Sequence, residues 1–307
     1  MSPSIKKRIL LLSIAFAMLA ALTAAAFSQT GERIRGLLRD FKYVANVRYA
    51  EGGGKYHLLD VFAPRIVPDS PMPVVVYIHG GGWRRGDKIS GKTFMAALAE
   101  AGFIVVSINY RLAPDSKWPA QIEDCKAAIR WVRKNIASYG GDPRRIGVFG
   151  LSAGGHLAAL LGTSGGVAAL EGDLGERNMS SRVDAVCDWF GPSDFTILGR
   201  RASKEHKGIL EGFLGGKLDE VRDRAIAASP VTYIDRDDPP FLIIHGDSDP
   251  LVPVEQSERL HGLLAEAGVE SELIVVPGGK HGDFRGTHPD GRELTALMVE
   301  FFEKHLK

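Results

Sequence analysis

Ser152 stands in Gly150-Leu151-Ser152-Ala153-Gly154, a G-x-S-x-G pattern in the stretch "RIGVFGLSAGGHLAALL". A serine hydroxyl is a weak nucleophile at neutral pH; it needs a base beside it and a third group that orients the base. Downstream, "FLIIHGDSDPLVP" offers the carboxylates Asp247 and Asp249, and "ELIVVPGGKHGD" offers His281, with His288 further along the same loop. Serine, histidine and aspartate together perform acyl transfer through a covalent acyl-enzyme. Upstream, "VVVYIHGGGWRRGD" ends an apolar run in His79 and three consecutive glycines, Gly80 to Gly82. Glycines there let backbone N–H groups approach a developing negative charge closely. Each motif also has a plainer reading. Ser152 can be the N-cap of a glycine-rich helix, and the three glycines can be a surface turn.

Whether these residues meet depends on the elements that carry them. Strand patterns fall at Tyr43–Ala50, His57–Ala63, Pro73–His79, Phe103–Asn109, Arg145–Gly150, Val183–Phe190, Phe241–His245 and Glu272–Val276. Helical patterns fall at Phe94–Ala101, Pro119–Ala137, Ala153–Leu161, Pro253–Ala267 and Glu293–His305. In the second helix Ile122, Cys125, Ala128, Ile129, Val132 and Ile136 share one face. The first two strands are separated by "EGGGK", a hairpin signal. From Pro73 onward strand and helix alternate, which predicts an α/β fold with a mostly parallel eight-stranded sheet covered by helices on both faces. Ser152, the two aspartates and His281 all follow strands, so they share the carboxyl rim of that sheet. The segment 195–238 is the least regular and reads as a lid-like insertion at the sheet edge.

Four motifs in order, "HGGGW", "NYRLAPDSKWPAQIEDC", "GLSAGGHLA" and "HGDSDPLVP", make the chain resemble the α/β-hydrolases. Within them it is similar to the hormone-sensitive-lipase-like esterases, and most to secreted bacterial feruloyl or acetyl-xylan esterases. The resemblance runs from about residue 44 to the C-terminus. It implies a nucleophile elbow at Ser152, a base at His281 and an acid at Asp249, in the chain order Ser, Asp, His. It also implies an oxyanion hole from the amides of Gly81, Gly82 and Ala153, each such donor being worth roughly 3–4 kcal/mol of barrier. Asp247 is then a turn cap, and His79, His156 and His245 are structural. Asp115 and Trp118 match a loop that buttresses the rim. The acid differs from the hormone-sensitive-lipase form, where it sits in a "DPLRD"-like stretch; "HGDSDPLVPVEQS" is nearer the oligopeptidase and feruloyl-esterase branches. Trp83, Trp189 and Phe195, with Phe190, Phe213 and Leu214, lie on or near rim loops and are candidates for an acyl or aryl pocket.

The remaining features bound the function. Lys6, Lys7 and Arg8 precede an uncharged run from Ile9 to Ser28 that ends in small residues, the pattern of a secretory signal peptide. Cleavage is expected between Ser28 and Gln29, with Ala24–Ala26 as a second site and an uncleaved anchor as the alternative. Residues 29–307 are the expected catalytic domain. They carry 35 basic and 37 acidic residues, a formal charge of −2, which recommends neither nucleic acid nor, after cleavage, an anionic membrane as partner. No metal constellation and no dinucleotide fingerprint occurs, so neither metal nor cofactor is implied. Cys125 and Cys187, the only cysteines, allow one disulfide or two buried thiols. The reading is a secreted serine carboxylesterase acting on small-molecule or polysaccharide-linked esters. The alternatives are an amide-cleaving enzyme on the same machinery, arylformamidase-like or peptidase, and a non-catalytic carbohydrate-binding protein.

Overall fold

The structure, a computed structural model, describes residues 39–201, 204–282 and 293–307. The signal segment with its expected cut, and His288, lie outside the described residues. Eight strands form one sheet: β1 (Phe41–Arg48), β2 (Leu58–Pro64), β3 (Met72–Ile78), β4 (Ile104–Ile108), β5 (Gly141–Leu151), β6 (Ala185–Trp189), β7 (Phe241–Gly246) and β8 (Ser271–Val276). Their order is β1-β2-β4-β3-β5-β6-β7-β8. β1 and β2 form the antiparallel hairpin that the glycines signalled, and β2 meets β4 antiparallel; every later pairing is parallel. This is the α/β-hydrolase architecture.

Both faces of the central strands are buried, so the apolar runs are nearly continuous. Helices α1 (Lys92–Glu100) and α8 (Leu294–Leu306) cover one face through Met95, Leu98, Leu297 and Phe302. Helices α2 (Ala120–Asn135), α3 (Ala153–Thr163) and α7 (Glu255–Glu266) cover the other through Ile122, Ile129, Leu157 and Leu260. The segment after β6 departs from the expected irregularity. It contains three helices, α4 (Phe195–Arg201), α5 (Lys204–Leu214) and α6 (Arg222–Ala228). α5 is anchored by Leu210, Phe213 and Leu214, which are buried in the same core as α2 and α3.

The two cysteines do not pair. Cys125 on α2 packs into one face of the sheet, whereas Cys187 on β6 points to the opposite face, among the α1 and α8 side chains. The sheet itself lies between them, and no backbone adjustment brings the sulfurs together. Burial pushes both thiols well above their ordinary pKa. Titration of the denatured, unreduced protein is expected to find two free thiols; a count of zero would contradict this packing.

Candidate active site

Parallel pairing places the ends of β3, β5, β6, β7 and β8 along one rim, and each end contributes to a cavity of about 520 Å³. At the end of β5 the chain reverses sharply into α3. Ser152 occupies the turn with φ 55° and ψ −119°, a strained conformation for a residue with a side chain. Its amide donates to Trp189 O at 2.8 Å, and its carbonyl accepts the His156 amide at 2.9 Å. The turn needs bare backbone around it: a Cβ on Gly154 would stand 2.1 Å from Ile78 O. This lifts Ser152 Oγ above the sheet.

The loop after β8 brings His281 to it. Ser152 Oγ lies 2.9 Å from His281 Nε2, and His281 Nδ1 lies 2.7 Å from Asp249 Oδ2. With the carboxylate accepting the Nδ1–H, Nε2 is bare and faces the serine proton. Asp249 is itself fixed. Its Oδ1 accepts the Leu251 and Val252 amides at 2.8 and 2.9 Å, and His245 Nε2 stands 3.4 Å from Oδ2. Burial alone would push this carboxyl up, but hydrogen bonds from His245 and His281 hold it well below the usual carboxylate range. Asp247 lies apart: its Oδ1 accepts the Gly278 amide at 2.7 Å and pins the turn after β8. The line of hydrogen bonds runs from Ser152 through His281 to Asp249 and leaves Asp247 outside.

Gly80 to Gly82 face the serine from the end of β3. Gly81 and Gly82 have φ values of 114° and 61°, and a Cβ on Gly81 would meet Arg85 O at 2.1 Å. Neither amide meets a backbone acceptor among the described residues, which leaves both available to a third party. The loop is braced from below. His79 stacks on Tyr110 with ring centroids 4.3 Å apart, and Tyr110 donates its hydroxyl hydrogen to His79 O at 2.9 Å. Trp83 Nε1 donates to His156 Nδ1 at 3.0 Å, and His156 Nε2 donates to Ala228 O at 2.7 Å. One imidazole thus ties the glycine loop, the nucleophile helix and the insertion together. Burial drives its pKa down to about 4, so it stays neutral and can accept the indole proton.

The pocket candidates separate. Trp83 lines the cavity and stacks on Phe213 at 4.3 Å. Phe195 does not line it; it is buried behind Trp83 and against His156. Trp189 is displaced further. It points to the α1 and α8 side of the sheet, with its ring against Phe149 and Phe94. Phe190, one residue past the end of β6 with a φ of 48°, reaches the cavity, where its ring meets His281 edge-on at 4.8 Å. Trp118 meets the insertion rather than the rim strands, with its amide on Phe213 O at 2.9 Å, and Asp115 is solvent-exposed. Sequence patterns gave no sign of Leu198, His206, Ile209 and Leu210, which the insertion supplies to the cavity. Among the described residues no cluster could hold a metal ion, and no helix is long and apolar enough to cross a membrane.

The chain has relatives among known proteins. The BD-FAE family model matches residues 59–264. Carboxylesterase NlhH of Mycobacterium tuberculosis is 50% identical over 263 residues, covering 80% of this chain and 77% of NlhH. Esterase LipC of the same organism is 36% identical over 250 residues, or 80% of this chain. The chain spans 62% of LipC's length, and 55% and 63% of two further mycobacterial relatives. A solved structure described as a truncated form of carbohydrate esterase from gut microbiota superposes with a TM-score of 0.77 at 35% identity, covering 86% of this chain and 95% of that one.

Proposed function

The chain belongs to the BD-FAE family of α/β-hydrolases, and on that footing we propose that it is a serine carboxylesterase that cleaves short-chain acyl esters of hydroxyl-rich alcohols. The observation that carries this reading is the hydrogen-bonded line Ser152–His281–Asp249 at the floor of the cavity. Ser152 Oγ attacks the ester carbonyl carbon while His281 Nε2 takes its proton. The carbonyl oxygen becomes an oxyanion held by the amides of Gly81, Gly82 and Ala153. Collapse of the tetrahedral intermediate breaks the carbon–oxygen bond to the alcohol, which leaves with the proton from His281. Water, deprotonated by the same imidazole, then attacks the acyl-enzyme; Ser152 Oγ leaves with that proton from His281, and the carboxylic acid is released. Asp249 fixes the imidazole tautomer and stabilises its cation, so no metal or cofactor is called on. The likeness to esterases, one of them described as a carbohydrate esterase, supports the reaction class and favours a sugar-borne acetyl ester. Export through the N-terminal segment agrees with that substrate, since polysaccharide esters are met outside the cell.

The test is a panel of p-nitrophenyl acetate, acetylated xylan, methyl ferulate and acetyl-p-nitroanilide. Turnover of the acetyl esters is expected, with the anilide slower by at least about a thousandfold because an anilide is the poorer electrophile. Preferential cleavage of the anilide would replace the esterase with an amidase.

A further inference from the structure

Helix α5 forms part of the wall of the cavity that holds Ser152, and Glu205, His206, Ile209 and Leu210 line the cavity from it. Their spacing puts all four on one helical face, with one turn between the polar pair and the apolar pair. The two turns stand at different ends of the site. His206 lines the cavity wall with His281 of the triad, and burial above all pushes its imidazole pKa down. Ile209 lies instead over the glycine loop, where a Cβ on Gly82 would stand only 3.2 Å from Ile209 Cγ2. Leu198 and Leu210 also line the cavity and are buried.

An ester bound for attack has its directions set by the machinery. Its carbonyl oxygen lies at the Gly81 and Gly82 amides. Its alcohol oxygen must lie within reach of His281 Nε2, because that nitrogen returns the proton. The acyl chain takes the direction that remains, away from His281 and beneath the apolar turn of α5. Resting on the esterase reading, we infer that Ile209 sets the acyl length. Its side chain, seated against Gly82, closes the acyl side beyond a short chain. The alcohol side opens past His206 and Glu205, polar groups that suit a hydroxylated leaving group.

The test compares kcat/KM for p-nitrophenyl acetate, butanoate and hexanoate in the wild type, Ile209→Ala and Ile209→Phe. Methyl, butyl and benzyl acetate form a second series that varies only the alcohol. Truncation frees the volume of about three methylene groups, so Ile209→Ala is expected to raise the hexanoate-to-acetate ratio at least about tenfold. Ile209→Phe is expected to lower the butanoate-to-acetate ratio by a similar factor, and it fills space, so it guards against loss of fold through a cavity. Ratios within the alcohol series should move less than about twofold. Acyl ratios unmoved in both variants, or a shift confined to the alcohol series, would overturn the role of Ile209 while the esterase stands. A wild-type protein that hydrolyses none of these esters would overturn the esterase reading itself.

Discussion

Ser152→Ala lowers kcat for p-nitrophenyl acetate by about 10⁴-fold or more while the protein keeps its fold and melts within about 2 °C of the wild type. The large kinetic effect follows from the proposed covalent route: without Oγ there is no atom at the elbow to attack the carbonyl, and only bound water remains. The small structural effect follows from the contacts. Within the described residues the hydroxyl bonds only to His281 Nε2, and its backbone anchors, the amide on Trp189 O and the carbonyl under the His156 amide, belong to any residue type. Alanine at φ 55° carries the same strain as serine, so the substitution adds none. Turnover within about tenfold of wild type, worth only some 1.4 kcal/mol of barrier, would remove Ser152 from the mechanism.

Asp249→Asn is expected to cost about 10⁴-fold in kcat, and the reason is geometric. Asp249 Oδ1 receives two backbone amides, from Leu251 and Val252. An asparagine must keep its oxygen there, because turning its NH₂ toward two N–H donors would leave all three without acceptors. Its NH₂ then faces His281 Nδ1, which must give up its proton to accept that donor. The remaining proton moves to Nε2, where it blocks transfer from Ser152. Asp247→Asn is the control. That side chain accepts the Gly278 amide and the Ser248 hydroxyl hydrogen on one oxygen, and asparagine retains such an oxygen. It should cost no more than about 1 kcal/mol of stability and leave kcat within about threefold. Both variants are compared by kcat and by melting temperature; a reversed ranking would place the wrong carboxylate in the relay.

The parallel frame was legible because each strand is an apolar run closed by glycine, proline or a polar residue, and the interposed helices, apart from α3, which is buried all round, carry a clear apolar face. The rim was legible for the same reason: Ser152, Asp249 and His281 each follow a strand that the pattern locates. Which face a given strand residue takes was not legible. Strands buried on both sides show no alternation of polar and apolar residues, so parity is invisible in the sequence. Cys187 and Trp189 are two apart on β6 and share one parity, toward α1 and α8. That single ambiguity explains both the disulfide that does not form and the indole that misses the cavity. The insertion was opaque for a different reason. α4 and α6 have seven residues each, too short for a helical period to stand out. α5 is held by contacts such as Phe213 on Trp83 that arise only after folding. His206 and Ile209, which shape the pocket, were hidden with it.

The most direct test of the central claim is to treat the folded protein with an alkyl fluorophosphonate and locate the adduct by peptide mass spectrometry. Ser152 Oγ displaces fluoride from phosphorus as its proton passes to His281, and the tetrahedral phosphonate ester that results puts its P=O oxygen where the oxyanion of the acyl intermediate would lie. The account predicts stoichiometric labelling at Ser152, and labelling slowed by orders of magnitude in His281→Ala. A native protein that takes up no label, or takes it up at another residue, would contradict it.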